Sequence, residues 1–132
     1  MIIGMGTDIV QTARIASSIE RLGERFINRI LGDEEKQVFV QKKDGVSYLA
    51  KRFAAKEAFA KAMGTGIGQY AAFTDIQILN DHKGKPTVTL TGAALKWSQQ
   101  NQVAYHHVSL SDERDYAQAF VIIEAVNVVS AS

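Results

Sequence analysis

The stretch Ser47 to Met63 constrains this chain more than any other. Dense in Ala, Leu, Lys and Glu, it favours a long helix, and it stops at Gly64 in the run Gly64-Thr65-Gly66-Ile67-Gly68. At about 100° per residue, Leu49, Phe53, Phe59, Ala60 and Met63 fall on one broad apolar arc. Arg52 and Lys56 lie inside that arc, while Glu57 and Lys61 sit one turn apart at its edge, beyond Phe53. Charges ringed by aromatic and aliphatic groups are expensive unless they are paired or turned toward a ligand. A fold built on this helix therefore has to cover it and to satisfy those charges.

The flanking segments supply the cover. Ile2 to Val10 is rich in β-branched residues and reads as a strand, with Ile3, Met5, Thr7 and Ile9 on one face and Ile2, Gly4, Gly6, Asp8 and Val10 on the other. Thr12 is expected to cap a helix whose Ile15, Ile19, Leu22 and Phe26 form an apolar stripe beside Arg14, Arg21 and Arg25, with Gly23 a candidate break. Gly32 then stops the chain and Asp33 is expected as the N-cap of a helix running to about Lys42. Thr74 to Asn80 alternates, and the turn-rich Asp81 to Lys85 leads through Pro86 into Val88 and Leu90, which predicts a hairpin. Thr91 is expected to cap a short helix carrying Ala94, Leu95 and Trp97. His107 to Leu110 and Tyr116 to Val126 read as a last strand pair around Ser111 to Asp115, and the tail from Ser130 is expected to fray. With no repeat, linker or low-complexity segment, residues 1–132 read as one α+β domain, an antiparallel sheet packed on a long central helix and shorter helices.

Composition narrows the chemistry. Hydrophobic residues at 46% and charged residues at 22% mark an ordinary globular chain, and fifteen Lys+Arg against fourteen Asp+Glu leave a formal charge of +1, too small for a nucleic-acid-attracting field. Steering of any charged partner must be local. The absence of cysteine removes thiol nucleophiles, thiolate metal sites and disulfides. Met1 to Val10 has no basic lead and is far shorter than the roughly 20 residues that span a bilayer. The expectation is a soluble, cytoplasmic protein that binds neither nucleic acid nor membrane.

Asp8 and Glu57 are the residues most able to carry chemistry. Read locally, Glu57 and Lys61 make an i,i+4 surface pair and Asp8 is a turn former. Read together, two hard carboxylates suit Mg²⁺, which takes one or two protein carboxylates plus waters and substrate phosphates, and a lysine one turn on meets phosphate charge. The Gly64 to Gly68 run is not a Walker loop, because Lys61 precedes it and the helix ends there. His82, His106 and His107 have no zinc-site spacing, and His107 shares an alternating strand face with Ser109 and Ser111. The arginine stripe is offset by Glu20 and Glu24 and reads as a solvated face or as a dock for an acidic helical partner.

Several segments in order resemble one family: Ile3-Gly4-Met5-Gly6-Thr7-Asp8-Ile9-Val10, Leu49 to Ala62 with Arg52-Phe53-Ala54-Ala55-Lys56-Glu57-Ala58, Gly64-Thr65-Gly66-Ile67, Asn80 to Pro86 with Gly84-Lys85-Pro86, and His107-Val108-Ser109-Leu110-Ser111. Together they are similar to the holo-acyl-carrier-protein synthases of the 4′-phosphopantetheinyl transferase family, over nearly the whole chain. The resemblance implies transfer of 4′-phosphopantetheine from coenzyme A to a serine of acyl carrier protein, with release of adenosine 3′,5′-bisphosphate, in fatty acid biosynthesis. It implies Asp8 and Glu57 as Mg²⁺ ligands and Lys61 as the cation on the breaking diphosphate. Arg52, Gly64, Gly66, Lys85, Pro86, His107 and Ser109 fall to the coenzyme A pocket, and Arg14, Arg21 and Arg25 to the carrier dock. A homotrimer with active sites between subunits is implied as well. Two positions depart from the usual pattern: Gln11 stands where many members have glutamate, and Asp112 where many have histidine. An acid at 112 repels phosphate unless it bonds elsewhere. Two other functions use the same residues: a Mg²⁺-dependent pyrophosphatase of coenzyme A or a nucleotide, and a non-catalytic nucleotide-binding module.

Overall fold

The structure is a computed structural model; it describes residues 1–126, so the tail from Ser130 lies outside it. The chain runs β1 (Ile2–Gln11), α1 (Thr12–Leu22), α2 (Glu24–Ile30), α3 (Asp33–Phe39), α4 (Gly45–Met63), β2 (Ile76–Asn80), β3 (Pro86–Leu90), α5 (Gly92–Gln100), β4 (Val103–Asp112) and β5 (Tyr116–Ala125). β1, β5 and β4 form an antiparallel sheet in that order, and β2 and β3 form the separate hairpin.

One face of the three-stranded sheet is made for close approach. Along β5 the inward residues Ala117, Ala119, Val121 and Ile123 are buried, and opposite them β1 contributes Gly4 and Gly6. A Cβ added at Gly4 would stand 1.8 Å from the carbonyl oxygen of Ala62, and one at Gly6 would stand 1.9 Å from that of Ala58. The backbone of α4 therefore lies directly on β1, a distance only glycine allows. The helix answers with small residues of its own: Ala50, Ala54, Ala55, Ala58, Ala60 and Ala62 are all buried. Helices α1 to α3 and the hairpin close over its remaining sides, so only Lys51, Phe53, Glu57 and Lys61 keep appreciable exposure within 48–63.

The two charges on the apolar arc are both buried. Lys56 Nζ lies 2.6 Å from Glu35 Oε1, neither side chain exposed, and it also donates to the carbonyl of Ile30. Burial lowers the Lys56 pKa, and the Glu35 charge opposes that shift. Losing either partner alone leaves an uncompensated buried charge, at a cost of about 3–5 kcal/mol.

The helix ends differ from expectation by one to three residues. Gly32, not Asp33, is the N-cap of α3, whose first turn is closed by Glu35 reaching back to the Gly32 N–H at 3.0 Å. That helix ends at Phe39, short of Lys42. Thr12 is the first helical residue of α1 and no cap; its N–H is taken by the carbonyl of Asp115 at 2.9 Å. Helix α4 begins at Gly45 because the Asp44 carboxylate accepts the Ser47 N–H at 3.0 Å. Thr91 stands at the N-cap of α5 without a side-chain bond. Strand β4 starts at Val103, earlier than its alternation suggests, because β5 extends far enough to pair it with Ala125.

Replacing Gly6 with alanine is expected to force α4 off the sheet and to cost about 3 kcal/mol in urea denaturation. An unchanged midpoint would contradict the backbone contact.

Candidate active site

Asp8 follows Gly6 on the strand face that receives α4, so the close contact carries its carboxylate to the helix. Lys61 reaches across to it, with Nζ 2.9 Å from Asp8 Oδ1 and 3.1 Å from the carbonyl of Thr7. The i,i+4 pairing of Glu57 with Lys61 does not form; the strand carboxylate has taken the lysine. Glu57 enters no ion pair among the described residues. Partial burial raises its pKa above the ordinary carboxylate value, the charge of Asp8 raises it further, and Lys61 and Arg29 pull the other way. The site thus holds two carboxylates that feel one another and one lysine to balance them.

This donor set can hold a hard divalent cation only in part. Among the described residues no group of three or more His, Asp or Glu side chains is arranged to cage a metal. Two carboxylates with open coordination fit Mg²⁺, which keeps waters and completes its shell with phosphate oxygens. Glu57 also borders a cavity of about 340 Å³ lined by Phe26, Arg29, Phe53, Ile67 and Phe73. Phe53 and Phe73 stack at 5.4 Å between centroids, and the Arg29 guanidinium lies 5.9 Å from the Phe73 ring. Gly64 ends α4 in the left-handed conformation at φ 80°, and Ile67, three residues on, lines this cavity.

Arg52, one turn before Lys56, is buried. Its Nε donates to the carbonyl of Ile78 and its Nη2 to Asn80 Oδ1, both at 3.2 Å, and the guanidinium lies 4.3 Å from the centroid of the Tyr48 ring. Arg52 is thereby tied to the start of the turn that holds Lys85 and Pro86. In that turn the Asp81 carboxylate accepts the N–H groups of Lys83 and Lys85 at 2.8 and 2.9 Å. A cavity of about 230 Å³ opens beside it, lined by Lys42, Lys51, Arg52 and Asn80. Asp112 is engaged elsewhere, accepting from Ser47 Oγ at 3.0 Å with Lys51 4.0 Å away. The Gln11 amide donates to the hydroxyl of Tyr116 at 3.3 Å.

Two groups of sequence candidates stand apart from Asp8 and Glu57. His107 and Ser109 are exposed on the open face of the sheet, where His107 Nε2 lies 3.4 Å from Glu124. Arg14 and Arg21 line one shallow groove with Ser17 and Ser18 on α1. Arg25 is not in that groove, because the helix breaks at Gly23 and Arg25 belongs to α2. Sequence reasoning missed Arg29, one turn beyond Arg25, and Glu35, whose place beside two other acids made it look like a helix-start residue.

The fold and site define a small α+β protein in which two carboxylates that feel one another share one lysine, and in which Lys42, Lys51 and Arg52 line a cavity with Asp44, groups suited to phosphate esters. Residues 4–121 match the model of the 4′-phosphopantetheinyl transferase superfamily, and the chain belongs to that family. It is 51% identical over 94% of its length to 98% of a Citrobacter koseri protein named holo-[acyl-carrier-protein] synthase. The crystal structure of the holo-[acyl-carrier-protein] synthase of Neisseria meningitidis superposes with a TM-score of 0.90 at 47% identity, covering 94% of this chain and 99% of that one. The Helicobacter pylori synthase, solved in complex with coenzyme A, gives a TM-score of 0.81 at 32% identity, covering 91% and 99%.

The raised pKa of Glu57 has a consequence for stability. A carboxyl that binds its proton more tightly when folded destabilises the fold as pH rises through the unfolded-state value, and the penalty is complete above the folded value. Glu57→Gln is therefore expected to raise the melting temperature at pH 7, with the gain vanishing below the ordinary carboxylate range. A lower melting temperature at pH 7 would contradict the partial burial of Glu57 without an ion-pair partner among the described residues.

Proposed function

We propose that this chain is a holo-acyl-carrier-protein synthase that moves the 4′-phosphopantetheine group of coenzyme A onto a serine of acyl carrier protein. The observation that carries this reading is that Lys61, one turn beyond Glu57 on α4, pairs with Asp8 on the distant strand β1, close enough for the Asp8 charge to act on Glu57. Asp8 and Glu57 would hold Mg²⁺. When bound, Mg²⁺ supplies positive charge against the diphosphate of coenzyme A. Lys61, held by Asp8 with half of its side chain exposed, presents its ammonium to the same oxygens and favours the charge that develops as the diphosphate breaks. The serine oxygen forms the new bond to the β-phosphorus and the bridging oxygen leaves with adenosine 3′,5′-bisphosphate, while the serine proton passes to a base. Arg52, Gly64, Gly66 and the Lys85-Pro86 turn form the nucleotide side of the cleft, where Arg52 braces the hairpin through Asn80.

The acidic carrier docks on Arg14, Arg21 and Arg25, with the groove of α1 as its centre. His107 and Ser109 reach the nucleotide from a neighbouring copy. On the open face of the sheet Met5 is 62%, Ile9 60% and Phe120 40% exposed, an apolar area that association of three copies would cover. The whole of 1–132 is then one transferase domain. No helix among the described residues is long and apolar enough to cross a membrane, and the cytoplasm is the proposed location.

Incubation with apo-carrier, coenzyme A and Mg²⁺ is expected to add one phosphopantetheine to the carrier, read by mass spectrometry. Glu57→Gln and Lys61→Met should each lower turnover by about 10²-fold or more, the size of loss typical when a group that stabilises transition-state charge is removed. Release of phosphopantetheine without a carrier would support a pyrophosphatase instead. Phe120→Glu is expected to yield monomers in light scattering and to abolish transfer; an active monomer would overturn the shared-site arrangement.

A further inference from the structure

Three donors converge on the Glu35 carboxylate, and they come from three different parts of the fold. Oε1 takes Lys56 Nζ from α4 at 2.6 Å and the Gly32 N–H at the start of α3 at 3.0 Å; Oε2 takes the Ile78 N–H from β2 at 2.9 Å. Lys56 extends the connection to the carbonyl of Ile30 at the end of α2. The Ile78 carbonyl, on the same residue that Glu35 holds by its N–H, accepts from Arg52, whose other arm holds Asn80. One chain of bonds thus runs inward from Asn80, at the base of the Lys85-Pro86 turn, through Arg52, Ile78 and Glu35, to Lys56. The next residue in sequence is Glu57.

The placement has a physical consequence. The hairpin and α4 belong to separate units, since β2 and β3 hydrogen-bond to each other and not to the three-stranded sheet. Apolar packing holds two such units together without setting their register, because apolar contact is non-directional. Charge-assisted hydrogen bonds in a dry interior are directional and fix both angle and distance. Apolar residues of similar volume often stabilise as well as a buried ion pair, so stability alone gives weak reason for this pair. What it supplies is a directional tie between the hairpin and the segment of α4 that carries Lys56, next to Glu57.

We propose that Glu35 and Lys56 are positioning residues that tie the Glu57 turn of α4 to the Asn80-to-Pro86 turn in one register, so that divalent cation and nucleotide bind as a coupled pair. The inference rests on the reading of Asp8 and Glu57 as the cation-holding carboxylates. Neither Glu35 nor Lys56 reaches solvent, so both act only through the groups they hold. By linkage, whatever Mg²⁺ adds to coenzyme A affinity, coenzyme A adds to Mg²⁺ affinity, and loosening the register lowers both alike.

The test is calorimetric binding of coenzyme A with and without Mg²⁺, in the wild-type chain, in Glu35→Gln, and in the double variant E35Q/K56M. The double variant removes both charges together and leaves no uncompensated charge in the interior, which keeps the chain folded if Glu35→Gln alone does not fold. Near-ultraviolet circular dichroism checks folding first. The wild type is expected to bind coenzyme A more tightly with Mg²⁺, and in the folded variants that gain should shrink about tenfold, within the usual span of coupling between sites. Affinity without Mg²⁺ should change far less. Variants that keep the wild-type gain, whatever their melting temperatures, would reduce the pair to a structural role and overturn the proposal alone. No gain in the wild type would overturn it together with the cation reading beneath it, and carrier modification that survives Glu57→Gln would locate the failure in that reading.

Discussion

The contact on which the rest depends is the one between the backbone of α4 and the glycine face of β1. Without side chains at Gly4 and Gly6, the Ala58 and Ala62 turns of the helix come down onto the strand. Asp8 then arrives beside Lys61 as a matter of register, two residues past Gly6 on the same face. A strand with ordinary side chains there would hold the helix several ångströms further out, beyond the reach of a carboxylate to a lysine. Close packing and candidate chemistry are the same feature seen from two sides.

Placing Asp8 and Glu57 together has an electrostatic cost that the chain meets only in part. Lys61 pairs with Asp8 and leaves Glu57 without an ion-pair partner among the described residues, and partial burial, followed by the Asp8 charge, raises the proton affinity of Glu57. Such an arrangement is poor design for stability and good design for binding a cation that arrives with its own phosphate ligands. Elsewhere the buried charges are satisfied, Glu35 and Lys56 by their ion pair and Arg52 by hydrogen bonds to Ile78 and Asn80. The contrast between a satisfied interior pair and an unsatisfied carboxylate one residue away marks where ligand binding takes over from folding.

Much of this was legible in the sequence because its signals are local. The end of α4 at Gly64, the hairpin around Asp81 to Lys85, and the glycine face that carries Asp8 follow from propensity, turn chemistry and strand alternation. The positions of Arg52 and Lys56 inside an apolar arc foretold buried charges, and both are buried. What escaped depends on contacts distant in sequence. Glu35 stands beside Asp33 and Glu34 and carries no mark of its partner in α4. Lys61 chose a strand carboxylate over its helical neighbour Glu57, which only the packing of α4 on β1 decides. The arginine stripe broke at Gly23, sending Arg29 to the Glu57 cavity instead of extending the row. The starts of α3 and α4 were missed by a residue or two because their capping bonds come from side chains outside or beyond the apolar pattern, Glu35 and Asp44.

The most direct test of the central claim is a crystal of the protein grown with coenzyme A and Mn²⁺, with the ion located by its anomalous scattering. One peak is expected per cleft, with one oxygen each of Asp8 and Glu57 at about 2.1–2.2 Å, close to the Mg²⁺ bond length, and with diphosphate oxygens completing the shell. A peak bound away from these two side chains, or nucleotide bound with the carboxylates turned apart and no ion between them, would contradict the account.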